Sequence, residues 1–145
     1  MTPFATRRAF FDDYPERHAI APSLAAYGIR FTCPCCGFPT LKLRGLDGIC
    51  FLCRWEDDGQ DDQDAEAVRI GPNRQYSLAR ARINFDQFLV KYDPGDDRRI
   101  TGPDTPGEIA EKKRILDAFE AMIAGASPDH EPYWKVVLTG ERELG

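Results

Sequence analysis

The chain has no long apolar run: nothing in its 145 residues approaches the roughly 18 consecutive apolar residues that a membrane span requires. Histidine is nearly absent, with only His18 and His130, and neither has a recognisable partner pattern. Both read as surface residues. No glycine-rich phosphate loop, nucleophile elbow or histidine metal motif occurs, so the sequence is expected to be non-enzymatic. The opening segment MTPFATRRAFFDDYPERH carries charges where a signal peptide would be apolar, so a cytoplasmic location is expected. What is present is a globular composition: 42% hydrophobic and 30% charged residues, with nine Phe, five Tyr and two Trp.

The net charge of −5 is unevenly spread. Residues 1–55 carry seven Lys/Arg against four acids, and residues 67–145 carry twelve against thirteen. The segment from Glu56 to Glu66 holds seven acids and no base. A near-neutral chain with one acidic segment argues against a generic phosphate-binding surface.

Five cysteines in a reducing compartment point to a metal site rather than to disulfides. Cys33 and Cys36 form one C-x-x-C pair and Cys50 and Cys53 a second, thirteen residues on. Zinc takes four tetrahedral thiolates at about 2.3 Å. Two cysteines flanking a tight turn can both face one ion, with Pro34 presetting the turn and Gly37 leaving it. Four thiolates fill the shell, so the zinc is expected to be structural. A redox pair or an iron–sulfur cluster is the competing reading. Cys35 reads as a spare residue inside the turn.

Around these pairs the pattern predicts a small α+β fold. Residues 1–30 read as a partly helical lead-in, interrupted by Pro3, Pro15 and Pro22, with Ser23 capping a short turn that ends near Gly28. Residues 31–92 form the four-cysteine zinc-binding module. Its zinc-ribbon-like β-hairpin runs from Thr40–Arg44 through Gly45–Gly48 to Ile49–Phe51 and links the two pairs. A helix from Ser77 to about Tyr92 follows, stopped by Asp93-Pro94-Gly95. Residues 93–106 read as a linker. Residues 107–145 supply a second amphipathic helix and a terminal strand, Tyr133–Leu138. The helix opens on Thr105-Pro106-Gly107-Glu108, ends at Gly125 and buries Ile109, Leu116, Phe119 and Ile123.

The run Cys33-Pro34-Cys35-Cys36-Gly37, Cys50-x-x-Cys53 and Trp55-Glu56-Asp57-Asp58-Gly59-Gln60 resembles the bacterial cysteine-rich CPCC family. So does Gly71-Pro72-Asn73 followed by Ser77-Leu78-x-x-Ala81-Arg82-x-Asn84-Phe85-x-x-Phe88. The resemblance covers about residues 31–88 and implies a small zinc-binding module. Phe51 replaces the proline that members often carry in the second pair.

Three readings compete for the acidic segment: a solvated loop, a fold-back of Glu56-Asp57-Asp58 onto the second cysteine turn, or a docking surface for a basic protein. The docking reading nominates Glu56, Asp57, Asp58, Asp61, Asp62 and Asp64. Its specific case is an immunity protein that neutralises a basic bacterial toxin. The alternative is a nucleic-acid-binding zinc-ribbon regulator. It would draw on Arg69, Arg74, Arg80 and Arg82, which are otherwise expected to pair with the acids.

Overall fold

Proline, accepted in a helix's first turn and disfavoured in its interior, marks helix starts along this chain. In the computed structural model, which describes residues 2–145, α1 (Pro3–Asp12), α2 (Tyr14–Arg17), α3 (Pro22–Tyr27), α5 (Pro106–Ala124) and α6 (Glu131–Leu144) all carry one there. By contrast, α4 (Leu78–Phe88) begins without proline, on the side chain of Ser77, which accepts from the Arg80 N–H. The chain divides into two units.

The first unit contains the chain up to Asp12 together with Arg30–Gly102. Its only sheet among the described residues is a short antiparallel pair, β1 (Phe31–Thr32) on β2 (Pro39–Leu41), with a register irregularity between Phe31 and Thr32. A single bridge joins Ile49 to Glu56. The expected hairpin from Thr40–Arg44 to Ile49–Phe51 is therefore not formed. Each cysteine pair sits instead at the tip of its own miniature ladder, because the turn around two ligands brings its own flanks together. Phe11, Phe38, Leu41, Leu52, Trp55, Leu78 and Phe85 form the buried core. Helix α4 stops at Phe88, four residues before the expected end, where Leu89 turns left-handed at φ 64° and its N–H bonds the Phe85 carbonyl.

The second unit contains Asp13–Ile29 and Pro103–Gly145. Thr105 and Glu108 form the expected capping box, and Gly125 ends α5 at φ 67°. The buried face of α5 is not the expected one. Phe119 is buried, but its companions are Lys112, Ile115, Ala118 and Met122, while Ile109 is exposed. The apolar stripe is displaced because Lys112, which pattern assigns to solvent, is buried against Asp104 at 2.6 Å.

The expected strand Tyr133–Leu138 is helix. Val136-Val137 beside two aromatics suggests a strand, but Pro132 opens a helix that buries Trp134, Val137, Gly140 and Leu144 along one side. At Gly140 an added Cβ would collide with the Ile115 side chain, so glycine permits the close approach of α5 and α6. Packing overrides local strand propensity here. Ser23 does not cap its own turn; its N–H and hydroxyl both donate to the Glu131 carboxylate, at 2.6 and 2.9 Å. Among the described residues no helix is long and apolar enough to cross a membrane.

Candidate metal centre

Cys33, Cys36, Cys50 and Cys53 converge from the two turns with their sulfurs all within 4.8 Å of one another, and none of the four is solvent-exposed. Cys33 lies 3.6 Å from Cys53, and Cys36 lies 3.8 Å from Cys50. A regular tetrahedron of thiolates about 2.3 Å from a central ion has edges of about 3.8 Å. Two of the sulfur separations match that edge and all lie within 4.8 Å, so the cluster is compact enough to hold one thiophilic cation.

The two turns share the same pair of backbone hydrogen bonds. In the first, the Cys33 N–H donates to the Phe38 carbonyl and the Gly37 N–H to the Cys33 carbonyl. In the second, the Cys50 N–H donates to the Trp55 carbonyl and the Arg54 N–H to the Cys50 carbonyl. Gly37 and Arg54 occupy equivalent positions, and both have positive φ, 79° and 69°. Glycine adopts this conformation freely and arginine at a cost. Phe51, in the place of the proline of the first pair, leaves this hydrogen-bond pattern intact.

Donors surround the sulfurs. The Cys35 N–H reaches Cys33 Sγ and the Trp55 N–H reaches Cys53 Sγ, both at 3.4 Å. The Thr40 hydroxyl donates to Cys50 Sγ at 3.0 Å. Such donors orient ligands and spread thiolate charge. Burial pushes the Cys33, Cys36 and Cys53 thiols well up. Cys50, equally desolvated, is brought down by donors from the other three cysteines and Thr40. Holding all four as thiolates at this density would take a cation to balance them. Cys35 is buried beside the cluster but outside the four-sulfur group, and burial raises its thiol too.

Residues distant in sequence fasten the turns. Arg7 of α1 donates to the Cys36 carbonyl at 2.7 Å, pairs with Asp86 and lies over the rings of Phe38 and Phe85. Arg82 of α4 donates to the Pro34 carbonyl at 2.8 Å and lies over Phe4. On the second turn the Lys91 N–H bonds the Cys53 carbonyl. The Asn73 amide pairs with both backbone groups of Glu56, as a neighbouring strand would. Arg7, Thr40 and Lys91 carry no sequence signal for these roles; the Gly71-Pro72-Asn73 motif is the one available hint.

The acidic segment is tied inward. Asp57 is fully buried, and its carboxylate accepts from Arg44 and from the N–H groups of Gly45 and Gly59. It folds back on the Gly45–Gly48 turn, not on the cysteine turn. Asp58 accepts the Gln60 N–H, and Asp61 with Asp64 closes the capping box of a 3-10 turn, Asp62–Asp64. Arg8 grips Asp61 through two bonds of 2.6 and 2.8 Å, and Arg44 adds a third. The Arg8 bond holds the Asp61 carboxyl well below the usual carboxylate range. Of the arginines near the module, Arg69 pairs with Asp64, Arg82 with Asp62, and Arg80 with Asp93. Arg74 makes no side-chain bond among the described residues. Asp62 keeps a side chain 70% exposed, whereas Glu56 lines a cavity beside Asn73 and Lys91.

Two buried C-x-x-C turns converging on one cluster define a small cysteine-rich module with four cysteines placed to hold a metal ion. Residues 31–93 match the family model described as cysteine-rich CPCC, a segment of the chain. No curated protein and no solved structure matches the chain.

Proposed function

We propose that this chain is a non-enzymatic interaction protein whose working surface is held in shape by a structural zinc ion, and that it acts in the cytoplasm, where thiols stay reduced. The observation that carries this reading is the compact set of four buried cysteine sulfurs, all within 4.8 Å of one another. Zinc held by four thiolates keeps no open position for substrate or water, so the metal contributes to folding rather than to reaction. Elemental analysis of protein purified without added metal tests it. One zinc per chain is expected, and iron in its place with charge-transfer absorption would refute the assignment.

The partner class that we propose is a basic protein, with an immunity protein facing a bacterial toxin as the specific case. Its support is the net charge of −5 and the outward carboxylates of Asp62 and Glu66. Asp57 and Asp61 are fastened inside the fold and are poor choices for testing it. Reversing Asp62 and Glu66 to lysine should leave zinc content and melting unchanged and weaken binding to a basic toxin domain. Undiminished binding would sink the acidic dock and leave the zinc reading standing.

A further inference from the structure

Beside the second cysteine turn lies a cavity of about 390 Å³, lined among others by Glu56, Arg74, Lys91, Tyr92, Asp96 and Arg98. That volume falls within the usual range for small-molecule sites. With Arg99, four cations face it against two carboxylates, in a chain that is acidic as a whole.

The cations are not equally committed. Arg99 is engaged by Asp97 through both carboxylate oxygens, and Arg98 bonds Asp96. Asp96 is itself saturated, taking the Tyr76 hydroxyl at 2.5 Å and the Gln75 amide at 2.6 Å. Lys91 differs. It is 3% exposed, yet its ammonium makes a single hydrogen bond, 2.9 Å to Asn73 Oδ1, and meets no carboxylate of the described residues within ion-pair distance. An ammonium carries three donors, and a buried charge is costly without partners. The Tyr92 ring, 5.2 Å away, offers Lys91 a π-face but no lone pair directed at its protons.

Among its charged neighbours Glu56 attracts the Lys91 ammonium most strongly, and Arg74 repels it. Arg74 is held in left-handed backbone at φ 53°, and its five guanidinium donors are unused among the described residues. The Tyr92 hydroxyl is a further unused donor. Two neighbouring cations with spare donors, at the wall of one cavity and ion-paired to no carboxylate among the described residues, make a site suited to an anion.

We propose that this cavity binds a small phosphomonoester, with its phosphate held between Arg74 and the Lys91 ammonium. A phosphomonoester brings a charge of about −1.5 to −2 and three strong acceptor oxygens, enough for the spare donors of Arg74, Lys91 and Tyr92 together. A carboxylate has two oxygens and a single charge. The Glu56 carboxylate, also in the wall, opposes the bound anion and weakens the site, as a negative neighbour must.

The zinc-loaded full chain is titrated at constant ionic strength with inorganic phosphate, with adenosine 5′-monophosphate and with adenosine, and backbone amide resonances are followed. Saturable shifts centred on Arg74 and Tyr92 are expected from both phosphate probes and not from adenosine. Arg74→Gly removes the guanidinium and suits the left-handed backbone, so its fold survives; it should weaken phosphate binding at least about tenfold. Glu56→Gln should tighten binding. The proposal is overturned if inorganic phosphate gives no saturable shift, if adenosine binds as well as its monophosphate, or if Arg74→Gly leaves the affinity unchanged.

Discussion

Single residues decide whether the first cysteine turn can close. Gly37 combines φ 79° with a close approach: a Cβ there would stand 3.0 Å from the Phe4 carbonyl oxygen and 3.2 Å from Arg7 Cβ. Gly37→Ala therefore meets both backbone strain and collision with α1, and should destabilise the first unit by about 1–3 kcal/mol. Chemical denaturation of the zinc-loaded protein measures it; an unchanged midpoint would show that the turn relaxes without cost. Cys35 makes the complementary case. Because it lies outside the four-sulfur group, Cys35→Ser should keep one metal per chain, whereas Cys36→Ser should lower metal affinity severely. A colorimetric zinc-release titration separates the two. The convergence of Cys33, Cys36, Cys50 and Cys53 was legible in sequence because C-x-x-C spacing is local chemistry. Arg7, Arg8 and Arg44 were not, since nothing in a linear sequence says which arginine meets which acid. The acidic run consequently looked freer than it is: Asp57 and Asp61 are structural anchors.

Elements show the same division between local and distant causes. The starts of α4 and α5 were readable because Ser77 and Thr105 cap by bonding three residues ahead. The buried face of α5 and the helical state of Glu131–Leu144 were not, because both depend on packing: Lys112 on Asp104, Gly140 on Ile115. Helix α6 also brings His130 to Tyr14, whose hydroxyl lies 2.6 Å from His130 Nδ1 and accepts the Trp134 indole N–H at 3.0 Å. His18 stacks on Tyr14 and lies 5.1 Å from His130. Burial, then repulsion from His130 and Arg17, lowers the His18 pKa, with Asp13 opposing. The unfolded chain therefore binds this proton more readily than the folded one. The stabilisation is present above the ordinary histidine value of about 6.5 and is lost as pH falls below it toward the depressed folded value. Melting of the second unit should drop as pH falls below about 6.5, and His18→Gln should flatten that dependence. An equally steep profile in the variant would place its origin elsewhere.

At the scale of the whole chain, the four cysteines placed to hold a metal belong to one unit only. Cys33, Cys36, Cys50 and Cys53 all lie in the first; the second draws its core from Trp134, Phe119, Met122 and Val137. Structural zinc is folding free energy, on the order of 10 kcal/mol in small zinc sites, while a domain's entire stability is about 5–15 kcal/mol. If the four cysteines hold structural zinc as proposed, removing it should unfold the first unit and spare the helices of the second. The chain carries its own reporters, since its two tryptophans, both buried, fall one in each unit: Trp55 beside the second cysteine turn and Trp134 in α6. The Trp55 indole N–H has no hydrogen-bond partner among the described residues, so Trp55→Phe sacrifices no bond; Trp134→Phe loses one to Tyr14. In the Trp134→Phe protein, a strong chelator at neutral pH should shift Trp55 emission to that of a solvated indole, and zinc should restore it. In the Trp55→Phe protein, the same chelator should leave Trp134 emission in place along with the helical circular dichroism of α5 and α6. Simultaneous loss of both signals would mean that the ion stabilises the second unit as well, although that unit supplies none of its ligands.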